Sequence, residues 1–135
     1  MLEHILLCPK DHENDQPSHA DVSMWINKLF NIEFKGKEIL IEQMKNAKYE
    51  LINGEGFISI KLLINDYKEK FPFKVRVPVE MIAFQPGRHP IMFLLHVLDG
   101  IIDELEIYTA DGSLIDNEIS IFNVEHNVSD TVNEM

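Results

Sequence analysis

The sequence predicts an α+β fold: two N-terminal helices packed on an antiparallel sheet of about five strands, arranged as a meander. Three observations carry this expectation. Apolar residues recur at helical spacing twice before residue 48 and not again. From Phe57 onward the apolar period changes to two, the period of a strand with one buried face. Asp-Gly pairs at Asp99-Gly100 and Asp111-Gly112 punctuate the second half, and no helical segment separates the later strands. Helices grouped ahead of strands are the chain order of an α+β architecture.

Taken in order, residues 9–20 ("PKDHENDQPSHA") are polar, contain Pro9 and Pro17, and read as a loop. Ser18 or Asp21 is placed to cap a helix running to about Phe30, with Val22, Trp25, Ile26, Leu29 and Phe30 on its apolar side. Gly36 breaks the chain. Residues 37–47 put Leu40, Ile41, Met44 and Ala47 at helical spacing, with Glu38, Glu42 and Lys45 outside. A short strand is expected at 49–52. "FISIKLLI" then places Ile58, Ile60, Leu62 and Ile64 on one strand face. Residues 65–72 read as a charged loop. "FKVRVPV" at 73–79 alternates again, with Lys74 and Arg76 facing away from Phe73, Val75, Val77 and Val79. Pro78 donates no hydrogen bond and so belongs at an edge or bulge. Residues 85–90 are a turn. Residues 91–98 and 101–108 form a hairpin about Asp99-Gly100, since a two-residue type I′ turn needs positive φ at both positions. An unbroken register would set Val97 opposite Ile102 and His96 opposite Asp103. Glu104 would then face Leu95, Glu106 would face Phe93, and Tyr108 would face Ile91. Asp111-Gly112 turns the chain into 114–122, where Ile119, Ile121 and Ile115 extend the sheet. The tail from about 127 is polar and expected to fray.

With 135 residues, 45% of them hydrophobic and 26% charged, the chain has the size and composition of one globular domain, 1–135. A single Cys8 allows no internal disulfide. "MLEHILLCP" lacks a basic leader region, and no apolar run approaches the roughly 20 residues that span a bilayer. A cytoplasmic location and no membrane partner are therefore expected. Asn127-Val128-Ser129 matches a glycosylation acceptor only by coincidence under that expectation. The net charge is −11, unevenly spread: residues 1–88 carry all 12 basic side chains against 13 acidic ones, and residues 89–135 carry 10 acidic ones alone. Such a chain lacks the Lys and Arg face that neutralises phosphates, so no nucleic-acid partner is expected. Its acidic half reads either as a solvated surface that keeps the protein soluble or as one that steers a basic protein partner.

Candidate chemistry is sparse. Glu104 and Glu106 share a strand face, as paired carboxylates of a general acid and base would, but nothing in the pattern separates their environments. His96 opposite Asp103 would be an oriented imidazole, yet no Gly-x-Ser-x-Gly element supplies a nucleophile, so a structural cross-strand bond is the simpler expectation. His4, Cys8 and His12 have helical spacing for a metal, but Pro9 interrupts it and His19 fits no zinc pattern. Neither a metal nor a cofactor is expected. Lys61, Lys74 and Arg76 form a small basic strip that balances the acidic strands.

"LLHVLDGIIDELEIYTADGSLI" resembles a recurring hairpin in small, mostly uncharacterised bacterial α+β proteins, in which an LH-V-x-DG turn leads into an ELE-hydrophobic-Y strand and a DG-S turn. Leu95, His96, Asp99, Gly100, Glu104, Leu105, Glu106, Tyr108, Asp111, Gly112 and Ser113 carry it. "FKGKEILIEQM" and "GEGFISIKLLI" extend the likeness over roughly residues 34–116. The resemblance implies a fold and a bacterial origin. In size and charge the chain is also similar to immunity proteins of bacterial toxin systems, with no motif behind that likeness. We therefore expect a protein-binding module and no enzyme: an immunity-type inhibitor presenting its acidic hairpin to a basic toxin, for instance a nuclease. Glu104, Glu106, Tyr108, Asp111, Asp116 and Glu118 would form the contact, with Tyr108 as anchor. The alternative is a small-ligand-binding protein or small enzyme with a pocket between sheet and helices near Trp25, Arg88 and His96.

Overall fold

A computed structural model describes residues 3–6, 19–54, 57–113 and 118–133. It has the α+β class, with six strands in the main sheet rather than five. Strand β1 (Glu3–Leu6) precedes helices α1 (His19–Leu29) and α2 (Lys37–Met44). Then follow β2 (Lys48–Gly54), β3 (Phe57–Leu63), β4 (Val79–Phe84), β5 (Ile91–Leu98), β6 (Ile101–Thr109), β7 (Glu118–Ile121), β8 (Asn123–Val128) and a helical turn α3 (Asp130–Asn133). The main sheet is antiparallel in the order β2-β3-β6-β5-β4-β8, and β1 pairs with β7 in a separate two-stranded sheet. The meander is thus confined to β4, β5 and β6. The hairpin β2–β3 joins it alongside β6, and β8 returns to the far edge.

The helices lie on the inner face of the sheet. Val22, Trp25, Ile26 and Leu29 of α1 are at most 4% exposed, as their i, i+3, i+4, i+7 spacing requires. They pack with Ile58, Ile60, Leu62, Met81, Phe93, Leu95, Leu105 and Ile107 in one core. Each fully buried leucine or isoleucine in it contributes about 2 kcal/mol. Helix α2 differs from expectation. It stops at Met44, and it turns Leu40 and Gln43 inward while Ile41 stays 41% exposed. A buried glutamine is tolerated because its amide is satisfied. Gln43 donates to the carbonyls of Glu69 (3.1 Å) and Gly100 (2.9 Å) and accepts from the Ile102 amide (2.8 Å).

The hairpin turn forms at Asp99 (φ 53°) and Gly100 (φ 80°), the positive-φ pair that a type I′ turn demands. Its register, however, is not unbroken. Val97 faces Ile102 as expected, but the register shifts between His96 and Val97, so His96 faces Glu104, Leu94 faces Glu106 and Met92 faces Tyr108. Asp103 is the extra residue of a β-bulge. The shift exchanges the faces: Ile91, Phe93, Leu95 and Val97 go into the core with Ile102, Leu105 and Ile107, and the carboxylates go outward with His96, Leu94 and Met92.

Three further expectations fail locally. Residues 73–78 are not a strand. Pro78 offers no N–H to the ladder, and the segment instead runs as a strap past the hairpin turn. It is held by Phe71 N–H to Gly100 O (2.8 Å) and Val97 N–H to Arg76 O (2.7 Å). The second acid-rich segment does not extend the main sheet, since β7 pairs with β1. Ile115 and Asp116 lie outside the described residues, as do 9–18 of the polar loop; His19 and Ala20 already belong to α1. The tail is not frayed at 127: β8 pairs with β4 through Val128, and Val132 of α3 is fully buried.

Candidate functional site on the outer sheet face

No described helix lies on the outer face of the sheet. Alternation along each strand puts Ser59 and Lys61 of β3, Glu104, Glu106 and Tyr108 of β6, Met92, Leu94 and His96 of β5, Glu80 and Ile82 of β4, and Glu125 and Asn127 of β8 there. The bulge adds Asp103, and the strap adds Arg76.

These residues form a hydrogen-bonded charge network at the centre of the face. The Ser59 hydroxyl donates to Glu104 Oε2 at 2.6 Å. Lys61 Nζ lies 3.4 Å from Asp103 Oδ2 and 3.9 Å from Glu104 Oε1. Arg76 Nη2 lies 3.5 Å from the same Asp103 oxygen. Arg76 Nε–H donates to His96 Nδ1 at 3.2 Å, and His96 Nε2 meets Glu106 Oε1 at 2.9 Å. Arginine has donors only, so His96 Nδ1 is the acceptor and the ring hydrogen sits on Nε2, directed at Glu106. Both imidazole nitrogens are therefore engaged. The ion pairs remain partly solvated, with Lys61 39% and Arg76 49% exposed, so each is worth at most about 1 kcal/mol; their effect is to fix side-chain positions. The basic strip divides: Lys61 and Arg76 balance the acids, while Lys74 stands apart on the strap.

Beside this network the face becomes apolar and unbalanced. Met92, Leu94, Ile82 and Tyr108 are half-buried by one another. Burial holds the Tyr108 hydroxyl above its ordinary pKa, and the charges of Glu106 and Glu80 push it further up. Glu80 accepts from Asn127 Nδ2 (3.0 Å), and among the described residues neither Glu80 nor Glu125 has a cation at ion-pair distance.

The sequence-derived contact set is only partly assembled. Glu104, Glu106 and Tyr108 share the outer face, but Glu104 is 19% exposed and spent on Ser59 and Lys61. Asp111 sits at the end of β6, where its carboxylate accepts from the Ser113 hydroxyl (2.7 Å) and amide (3.1 Å) and lies 3.5 Å from His89 Nε2. The Ser113 hydroxyl above all, then its amide, holds the Asp111 carboxyl below its ordinary range. Glu118 belongs to the other sheet. The pairing of His96 with Asp103 is replaced by His96 with Glu106, a consequence of the bulge. Trp25, Arg88 and His96 share no pocket. Trp25 is 1% exposed beneath the inner face, Arg88 is in the β4–β5 turn, and His96 is on the outer face. A cavity of about 200 Å3 does open between α1, α2 and Tyr49 of β2, but none of Trp25, Arg88 and His96 lines it.

His4 lies in strand β1 rather than on a helix, and Cys8 and His12 fall outside the described residues. Among the described residues no three His, Cys, Asp or Glu side chains converge as metal ligands. Among them, too, no helix is long and apolar enough to cross a membrane. Comparison with family models, curated proteins and solved structures yields no match to the chain. Sequence reasoning missed Ser59, Glu80 and Glu125. The signal for the bulge was present: Ile102 and Leu105 are both apolar and three apart, which an unbroken period of two cannot place on one face.

Proposed function

We propose that the chain is a protein-binding module whose outer sheet face docks a basic protein, in the manner of an immunity-type inhibitor covering the phosphate-binding surface of a nuclease toxin. One observation carries this reading: a half-buried apolar patch of Met92, Leu94, Ile82 and Tyr108 is bordered by Glu80, Glu106 and Glu125, and among the described residues only Glu106 of these three has a partner in ion-pair geometry, His96. An apolar centre with a charged border is the anatomy of a binding surface, and carboxylates without cations favour Lys and Arg opposite them. The same charges disfavour nucleic acid. Both nitrogens of His96 are engaged, and the Ser59 hydroxyl donates to a carboxylate rather than to the imidazole, which supports binding over nucleophilic catalysis. The contact narrows to Glu80, Glu106, Glu125 and Tyr108, with Tyr108 as anchor.

The test uses a partner captured on the immobilised chain, followed by kinetics at low and high salt. The partner should be basic. The double variant Glu80→Gln, Glu125→Gln should associate about tenfold more slowly at low salt, with the difference shrinking at high salt. Tyr108→Ala should speed dissociation by at least about tenfold with little change in association. Capture of an acidic protein, or kinetics indifferent to all three substitutions, would remove this face from function.

A further inference from the structure

The strap and the hairpin turn enclose a groove of about 660 Å3 at the end of the sheet, away from the acidic border. It has the size of a small-molecule site. Pro78 is its origin: β4 cannot continue backward along β5, so residues 71–77 bow outward. The bow is fixed at both ends, by Phe71 N–H on Gly100 O and by Arg76 O on Val97 N–H, and Gln43 holds the Glu69 carbonyl behind it. At its middle Val75 N–H bonds Phe73 O at 3.1 Å, a three-residue turn with Lys74 at the tip.

The lining separates by chemistry. Lys70, Lys74 and Arg76 are exposed; Phe73 and Val75 are half-buried, and Leu98 is 50% exposed across from them. Among the described residues of the lining, Asp99 is the single acidic one. Among the described residues neither Lys70 nor Lys74 has a carboxylate at ion-pair distance, in a chain of net charge −11. Two unbalanced ammonium groups beside an apolar wall are complementary to an anion that carries an apolar body.

We propose that this groove binds a small organic anion, a carboxylate or phosphate monoester whose charged group meets Lys70 and Lys74 and whose apolar part lies on Phe73, Val75 and Leu98. The two backbone bonds that close the groove at its ends suit a compact ligand better than an extended acidic peptide. Because the strap is tied down before the ligand arrives, little ordering entropy is lost on binding.

Amide chemical shifts of the full chain, followed during titration with phenyl phosphate, phenylacetate, phenol, inorganic phosphate and a hexaglutamate peptide, test this. Phenyl phosphate or phenylacetate should give saturable shifts confined to 70–76 and 97–100, and the tighter of the two distinguishes phosphate from carboxylate as the natural head group. Phenol and inorganic phosphate, each lacking half of the ligand, should bind at least about tenfold more weakly. Lys70→Gln with Lys74→Gln should cut affinity for the organic anion by about tenfold with an unchanged melting temperature, since both side chains are exposed. No saturable shift, shifts centred elsewhere, or full binding by the double variant would overturn the proposal. Tighter binding of hexaglutamate would also overturn it, assigning the groove to an acidic protein surface.

Discussion

The two Asp-Gly pairs are the same dipeptide in two different roles. At Asp99-Gly100 both residues have positive φ, and the turn joins two paired strands. At Asp111-Gly112 only Gly112 does (φ 79°), its amide bonds Thr109 O at 3.1 Å, and the turn ends β6 and sends the chain out of the main sheet. Their surroundings differ as much. A methyl group on Gly100 would meet Lys70 Cβ and Phe71 O at 2.9 Å, whereas one on Gly112 would meet nothing within 4 Å. The dipeptide specifies a turn; the flanking strands select its type, and tertiary packing decides whether it is buried under a strap or left in solvent.

Substitutions sharpen that contrast. Gly100→Ala adds backbone strain to a clash with a carbonyl oxygen that cannot move without lifting the strap, and should cost about 3 kcal/mol by chemical denaturation. A cost no larger than that of Gly112→Ala would show that the strap does not bear on the turn. Gln43→Leu keeps the volume but leaves the Ile102 amide and the Glu69 carbonyl without their partner, at about 2 kcal/mol. The loss should appear as faster amide exchange at Ile102 and Phe71 before global unfolding. Gly112→Ala meets strain alone, about 1 kcal/mol. The smallest effect belongs to Asp111. Its carboxyl titrates lower in the folded chain than in the unfolded one, so its contribution is present above the unfolded pKa and is lost as pH falls through the folded value. Ser113→Ala should bring the Asp111 titration, read by NMR, back toward its ordinary value; an unmoved titration would assign the shift to the Ser113 amide, which the substitution keeps.

Much of the fold was legible. The helical stripe of α1, the alternation in β3 and the type I′ turn depend on local pattern alone, and each falls where the residues indicate. Legibility failed where two patterns competed. In β5 both alternating sets are apolar (Ile91, Phe93, Leu95 against Met92, Leu94, Leu98), so the strand itself does not say which faces the core. The decision came from the Ile102 to Leu105 spacing across the turn, and it reversed the surroundings of Glu104 and Glu106. Strand β8 was hidden because an edge strand needs few apolar residues; only Val124 and Val128 mark it. Gln43 reads as a surface residue until the carbonyls of Gly100 and Glu69 are placed above it. The charge network was illegible for the same reason: Ser59 and Glu106 become neighbours only when β3 pairs with β6, and Arg76 joins them only when the strap is tied to β5.

That distant pairing has a kinetic side. Strands β4, β5 and β6 follow one another through short turns, and their contacts close only small loops. Placing β3 against β6 brings Phe57 beside Tyr108, and placing β8 against β4 brings Val79 beside Val128, both across long stretches of chain. The entropy of closing those loops must be lost before the contacts that reward it form. The three central strands are therefore the expected nucleus, and the two outer additions are expected to set the pace of folding. Until β3 arrives, one edge of β6 is unpaired, and during that interval the folding chain is most open to pairing with a strand from another molecule.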